Sequence, residues 1–383
     1  MPVTAVAKHL SGVVFFSTMP HLEAWLVSLA FAFGAGTAAT IVLARAAGAL
    51  RLVDYPGGRK SHSTPVPLVG GLAIFIALLG VAAVVGIASS AGYFLFALAI
   101  VIAAGMWDDV TEISPRVKFA IEIVASCLMI FGAGVELRSV GDLLGWKPIG
   151  LWIFAVPLTV FAVVGVVNSV NMMDGLDGLG GSIALVAFAW YAAVAAVSDL
   201  DVQFKTALIF CGAIAGFLLF NLRFPWQPRA RVFLGDAGSL MIGFALGWFA
   251  IDLTQGAGRT MPPIAALWII VLPLADCVSL MARRVRARRS PFVADSQHIH
   301  HYLLARGFTH GQTLATLVAL SFLFGAFGFF GWRLGLPEAA LFWPFFFGFF
   351  VYHAWIQRAW RAIDSKRTAR PGVVDDEKPA IAS

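Results

Sequence analysis

Long apolar runs, broken by short polar segments, dominate the pattern of this 383-residue chain. Runs long enough to cross about 30 Å of hydrocarbon lie near 23–43, 68–88, 92–107, 119–136, 151–169, 180–198, 204–221, 238–254, 264–281, 312–332 and 338–357. They predict an all-α, polytopic integral membrane protein with about eleven transmembrane helices. Two pairs, 68–88 with 92–107 and 312–332 with 338–357, are separated by only a few residues and read as helical hairpins. An odd number of crossings puts the two termini on opposite sides. The first 22 residues contain an apolar run, Leu10 to Met19, that is too short to span, and they read as an interfacial stub. Residues 23–362 form the membrane-embedded domain. The tail over 363–383, with Asp375, Asp376 and Glu377, has the composition of a disordered segment. There is no internal repeat.

Composition agrees with this outline and excludes a soluble domain. Hydrophobic residues make up 60% of the chain, and charged residues only 13%, against about 25% in ordinary soluble domains. The net charge of +6 would by itself suit nucleic acid or anionic lipid, but its distribution along the chain is more informative. One set of loops, with the C-terminal tail, holds 21 of the 27 basic residues, including Arg45, Arg59, Lys60, Lys118, Arg223, Arg283, Arg289 and Arg306. The other set holds Lys8, Arg138, Lys147, Lys205, Arg259 and Arg333. Positive charge collects on the cytoplasmic side of membrane proteins, so the N-terminus is expected outside and the C-terminus inside. The basic balance then calls for no nucleic-acid partner, and membrane lipid is the expected surroundings. Cys127, Cys211 and Cys277 all fall in apolar segments and read as buried thiols.

Five polar clusters fall on the side expected to be cytoplasmic. Asp108-Asp109 follows an apolar helix; the pair could bind Mg²⁺ or act as base and spectator, although solvated loop charges would look the same. The run from Asn168 through Asn171, Asp174 and Asp177 to Gly181 repeats a polar residue every three positions, and its glycines allow close backbone approach. Asn171 and Asp174 are near enough to share a ligand if the helix continues through them. Such hard oxygen donors suit Mg²⁺ or Mn²⁺, not Zn²⁺. Phe233-Leu-Gly-Asp236-Ala-Gly-Ser239 enters the next helix, where free N–H groups and the dipole favour phosphate and Asp236 could hold a metal beside it. The last inner loop brings Arg283, Arg284, Arg286, Arg288 and Arg289, then His298, His300 and His301. The arginines fit phosphate oxygens or lipid headgroups alike. The histidines could bind zinc or hydrogen-bond a sugar or phosphate. Lys60 and His62, ahead of Thr64-Pro65-Val66-Pro67, could bind phosphate or simply belong to a rigid turn. Together these groups offer acidic residues for a divalent ion and basic residues for phosphate, which suits phosphoryl transfer at a membrane surface.

The stretches DYPGGRKSHSTPVPLVGG, DDVTEISPRVK, NSVNMMDGLDGLGG, FLGDAGS and RRSPFVADSQHIHHYLLARG, in that order over residues 54–307, resemble the motifs of the polyprenyl-phosphate N-acetylhexosamine-1-phosphate transferase superfamily. The resemblance implies ten or eleven transmembrane helices around a cytoplasmic cleft and dependence on Mg²⁺. It also implies a UDP-N-acetylhexosamine donor, undecaprenyl phosphate as acceptor and UMP as leaving group. By motif position, Asn171 and Asp236 would ligate Mg²⁺, and Asp108 and Asp109 would form the catalytic pair. Lys60 and Lys118 would neutralise phosphate charge, joined by His62 and Arg289, which are read as phosphate contacts from their own chemistry; Asp174 and Asp177 would line the nucleotide site, and His298, His300 and His301 would contact the sugar or diphosphate. The interrupted histidine run, His298-Ile299-His300-His301, departs from the three consecutive histidines of the peptidoglycan-precursor branch. It resembles the branch that uses UDP-N-acetylglucosamine to begin O-antigen, enterobacterial common antigen or teichoic acid synthesis. A homodimer stays open. The rival class is a transporter, which would place its polar groups at the bilayer midplane. Apart from charges in the last three positions at either end, Glu122 and Asp276 are the charged residues within the spans. Glu122 is expected near the inner end of its helix and facing the bundle, and Asp276 has no assigned role.

Overall fold

The computed structural model describes residues 22–57, 64–89, 91–255, 260–290 and 297–368. Lys60, His62, Lys8 and Arg259 lie outside the described residues, as do nearly all of the N-terminal stub and positions 369–383. The described chain is a bundle of helices, with one two-residue hairpin pairing β1 (Val53–Asp54) with β2 (Val66–Pro67). In chain order the helices are α1 (Leu22–Leu50), α2 (Gly70–Val84), α3 (Gly92–Thr111), α4 (Pro115–Cys127), α5 (Ala155–Met173), α6 (Leu179–Val197) and α7 (Asp201–Asn221). They are followed by α8 (Gly235–Asp252), α9 (Pro263–Ile269), α10 (Val271–Arg286), α11 (Ile299–Ala305), α12 (His310–Arg333) and α13 (Glu338–Thr368).

Every apolar run read from the sequence coincides with a helix or a helix pair, and the protein is a multi-pass membrane protein. Among the described residues seven single helices are long and apolar enough to cross a bilayer, and the bent pair α9–α10 brings the number to at most eight, against the eleven segments expected. The run 264–281 is not one straight helix. It breaks after Ile269, and α10 leaves at 84° to α9. Pro273 lies in the first turn of α10, where its missing N–H costs little but where it cannot extend a helix arriving from behind. The run 119–136 starts earlier than predicted, at Pro115, and ends in a π-helical turn over Leu128–Gly132. Helix α13 continues to Thr368, beyond the boundary expected at 363. Among the cysteines, Cys211 and Cys277 are buried, whereas Cys127 is only half-buried; all three are free thiols.

Helix α8 is the centre of the bundle. Almost every side chain along it is buried, and it packs against α3 and α5, with α2 at its start. The core beneath it is aromatic: Phe188 stacks on Phe210 with ring centroids 4.2 Å apart, and Tyr191 stacks on Phe249. Small residues bring the first turn of α8 close to its neighbours. A Cβ on Gly105 of α3 or on Gly71 of α2 would overlap the backbone of Ala237 or Gly238, which is not free to move aside. The segment before α8 is tied to the hairpin strand by Phe233 N–H to Pro67 O at 2.9 Å, and to α2 by Gly70 N–H to Phe233 O at 3.0 Å. These contacts between distant parts of the chain fix where Asp236 stands.

The two ends of the bundle differ. At one end the loop after α4 is clamped by the Gln255 side chain, which bonds Arg138 N–H, Ser139 N–H and Ser139 O. All the polar clusters singled out in the sequence that are described gather at the other end. Asp108, Asp109, Asp174 and Asp236 therefore lie at helix ends, whereas a transporter is expected to gather its polar groups midway along its spans. Glu122 faces the bundle as expected: it is 2% exposed and accepts a hydrogen bond from Asn168 Nδ2 at 2.8 Å.

Candidate active site

Four helix ends build the centre of the site. Helix α3 ends in Asp108 and Asp109, α4 begins with Lys118 in its first turn, α5 ends just past Asn171, and α8 begins at Gly235-Asp236. Lys118 Nζ bridges two carboxylates, pairing with Asp108 Oδ2 and lying 2.9 Å from Asp236 Oδ2. Asn171 Nδ2 donates to Asp236 Oδ1 and to Ser239 Oγ, both at 2.8 Å. The second Asp108 oxygen accepts the Ile113 N–H at 2.8 Å, which holds the chain as it leaves α3. Residues from positions 108, 118, 171 and 236 thus meet at one point, as the motifs imply.

The two aspartates of the pair play different parts. Asp109 accepts the backbone N–H of Asp236 at 2.8 Å and of Ala237 at 3.0 Å. A carboxylate at that position satisfies helix-start donors and complements the dipole. This corrects one expectation from the sequence: the first N–H groups of α8 are given to Asp109 and are not left open for phosphate. Gly235 sits at φ +75°, and a Cβ there would come within 2.7 Å of Asp109 Oδ2, so glycine is required on both counts.

Burial and neighbouring charge set the protonation of the cluster. Burial pushes the Asp236 carboxyl upward, but its hydrogen bond with Asp108 and the Lys118 charge outweigh this and hold it below the usual carboxylate range. For Lys118, burial pulls downward, and the negative charge of Asp236 together with Asp108 more than restores the protonated form. Asp174 stands at the end of α5 and turns back to accept Gly180 N–H at 3.1 Å. Burial raises its carboxyl to about 7, with the charges of Asp236 and Asp177 adding to the shift. Helix α5 stops at Met173, so Asp174 and Asn171 take different partners instead of sharing one.

Asp177 forms an ion pair with Arg223 Nε at 2.8 Å, and the same oxygen accepts Ala230 N–H. Asn221 ties the same region together, accepting Gly178 N–H and donating to Val232 O. Sequence reasoning gave Arg223 and Asn221 no such roles. Arg223 registered only as a topology charge, and the isolated Asn at the end of an apolar run was the available signal for Asn221.

The histidines approach the same loop. His300 is 1% exposed, and neither of its ring nitrogens has a hydrogen-bond partner among the described residues. A Cβ on Gly175 would lie 2.6 Å from His300 Nε2, so the ring rests directly on the Asp174–Asp177 turn. Burial, with His301 and His298 nearby, keeps His300 neutral, well below the usual range. His301 packs against His300 with ring centroids 4.2 Å apart, and His298 lies nearly parallel to His300 at 5.6 Å. Arg289 is exposed beyond the end of α10, and the structure draws it into no ion pair among the described residues. Asp276 is now accounted for: it is buried and bonded to His298 Nδ1 at 2.7 Å.

Among the described residues no three His, Cys, Asp or Glu side chains form a metal-binding group. The donor chemistry at Asp236 nevertheless fits Mg²⁺, which is usually held by one or two carboxylates and substrate phosphates, not by an all-protein cage. The Lys118 charge and the hydrogen bonds around Asp236 favour its ionised form, and Asn171 spends its amide N–H groups on protein partners, leaving its carbonyl oxygen for a cation.

Residues 91–254 match the family described as glycosyl transferase family 4. The chain is 36% identical over 324 residues to an undecaprenyl-phosphate alpha-N-acetylglucosaminyl 1-phosphate transferase of Haemophilus influenzae, covering 84% of this chain and 91% of that protein. The protein of the same name from Yersinia pestis is 34% identical over 341 residues, with coverages of 88% and 90%. That of Escherichia coli K12 is 34% identical over 319 residues, with coverages of 81% and 85%.

Proposed function

Because this chain belongs to glycosyl transferase family 4 and to its undecaprenyl-phosphate N-acetylglucosaminyl 1-phosphate transferases, we propose that it moves N-acetylglucosamine 1-phosphate, or a related N-acetylhexosamine 1-phosphate, from a UDP-sugar to undecaprenyl phosphate. UMP is released, at the cytoplasmic face of the bacterial inner membrane, as the first step of a cell-envelope polysaccharide. The observation that carries this reading is the single ammonium of Lys118 shared by Asp108 and Asp236, with Asn171 closing the group at the end of the bundle. A lipid phosphate and a soluble diphosphate meet most readily at such a place.

In the proposed reaction a phosphate oxygen of the acceptor attacks the phosphorus that carries the sugar. The bond from that phosphorus to the oxygen bridging it to the uridylate phosphate breaks, and UMP leaves with that oxygen. Asp236 and the Asn171 carbonyl would hold Mg²⁺, or Mn²⁺ in its place, against the donor diphosphate. The ion, when bound, neutralises diphosphate charge and makes UMP a better leaving group. Asp108, in its ionised form, would take a proton from the acceptor phosphate, while Asp109 keeps α8 and therefore Asp236 in position. Lys118 supplies a fixed positive charge between the reacting phosphates. Asp174 and Asp177 line the turn for the nucleotide, and His300 offers unpartnered ring nitrogens to the sugar or diphosphate.

The test is a donor screen. Purified protein with Mg²⁺, undecaprenyl phosphate and UDP-N-acetylglucosamine is expected to release UMP, and chelation with EDTA to stop it. Success only with another UDP-N-acetylhexosamine would change the sugar. Absence of UMP with every such donor, in folded protein, would end the transferase proposal.

A further inference from the structure

Behind the histidines lies a buried polar chain that the transfer scheme does not use. Asp276, in α10, is 1% exposed. Its Oδ2 is 2.7 Å from His298 Nδ1, and its Oδ1 accepts both the Ile299 N–H at 3.1 Å and the Tyr352 hydroxyl at 2.7 Å. Tyr352 comes from α13, far beyond the segment that matches the family. A carboxyl enclosed in a helix bundle is costly unless its oxygens are hydrogen-bonded. Here three donors converge on one group, and one of them is a side chain next to the site.

The chain continues into the site by ring packing. His298 lies parallel to His300, at 7° between planes, and His300 rests on Gly175 of the Asp174–Asp177 turn. A simple tie between α10 and α13 needs none of this. Ser279 Oγ and His353 Nδ1, 3.0 Å apart, already supply one between the same two helices. The residues facing His298 and His300 are what set Asp276 and Tyr352 apart from that tie.

We propose that Asp276 and Tyr352 are positioning residues of the transferase centre: they hold the His298 ring with its proton on Nδ1 and thereby fix the stacked His298–His300 pair against the Asp174–Asp177 turn. An imidazole whose Nδ1–H is given to a carboxylate presents Nε2 as its acceptor and cannot turn over. His300 has no hydrogen bond of its own to orient it, so its place depends on what it packs against. The effect on turnover rests on the transferase reading above; the tautomer of His298 does not.

The experiment pairs histidine ring ¹⁵N NMR with kinetics on the purified full chain. The His298→Gln variant assigns the signal. Wild type is expected to show His298 as the Nδ1–H form. Asp276→Asn is expected to move it to the Nε2–H form, as a carboxamide does at the comparable position of a serine protease triad. The accompanying fall in kcat is expected to be about a hundredfold, the scale of a misplaced contact group, with the donor KM changed by less than about threefold. Tyr352→Phe keeps two of the three donors and is expected to lower kcat by about fivefold, one ordinary hydrogen bond, at an unchanged thermal midpoint. Retention of the Nδ1–H form in Asp276→Asn would overturn the proposal. If that variant does not fold, Tyr352→Phe decides, and an unchanged kcat there would also overturn it. If wild type transfers no sugar phosphate at all, the transferase reading falls and the NMR comparison alone judges the positioning claim.

Discussion

Asp236→Ala is expected to lower transfer by about a thousandfold or more, the combined scale of losing an electrostatic stabiliser and a metal ligand, in a protein that remains folded. The separation of activity from folding follows from the contacts. Asp109 holds the start of α8 through the backbone N–H groups of positions 236 and 237, which alanine keeps. Lys118 retains Asp108, and Asn171 retains Ser239, so neither loses its only partner. What disappears is the carboxylate to which the ammonium and the amide both converge. Initial rates and a thermal melt on the same preparation check the prediction. A near-normal rate would remove Asp236 from the cation role, and a collapsed melt would show that its work is structural.

Lys118→Met is expected to give the next largest loss, about a hundredfold in kcat, the effect of removing one preorganised charge from a phosphoryl-transfer site. Its ammonium touches both Asp108 and Asp236. Without it two carboxylates face each other unneutralised, and like charges in one site oppose ionisation of both. The same change should favour a divalent ion. Loss of a fixed positive charge beside Asp236 is expected to tighten Mn²⁺ binding, by about tenfold after screening. Opposite movements of turnover and cation affinity are the signature. A variant with wild-type kcat, or with weaker Mn²⁺ binding, would contradict the assignment.

How much of this was legible in the sequence differs from residue to residue. Asp108, Asn171 and Asp236 stood out because each interrupts or ends an apolar run, where a polar side chain has few innocent uses. The different parts of Asp108 and Asp109 could not be read, because adjacent residues at a helix end look alike until the partner helix is in place. The same absence misdirected the reading of Phe233–Ser239: its N–H groups looked open to phosphate, but their acceptor lies 127 residues earlier in the chain. Asp276 was opaque for the opposite reason. Its partners, His298, Ile299 and Tyr352, come from the start of α11 and from α13, and no local periodicity joins them. The break between α9 and α10 did carry a local sign, Pro273, but apolar composition across the run concealed it. Helix positions were the most legible feature, since lipid demands long apolar stretches whatever they pack against.

The account requires that the Asp108–Lys118–Asp236 cluster open toward the cytosol, where a nucleotide sugar is found. Cysteine labelling in intact cells tests this most directly, with Cys127, Cys211 and Cys277 replaced by alanine. A single cysteine is then placed at exposed Pro228, beside the site, or at Trp146, 85% exposed at the opposite end. A membrane-impermeant maleimide is expected to label the Trp146 position in intact cells and the Pro228 position only after permeabilisation. Labelling of the Pro228 position from outside, with the Trp146 position protected, would contradict it.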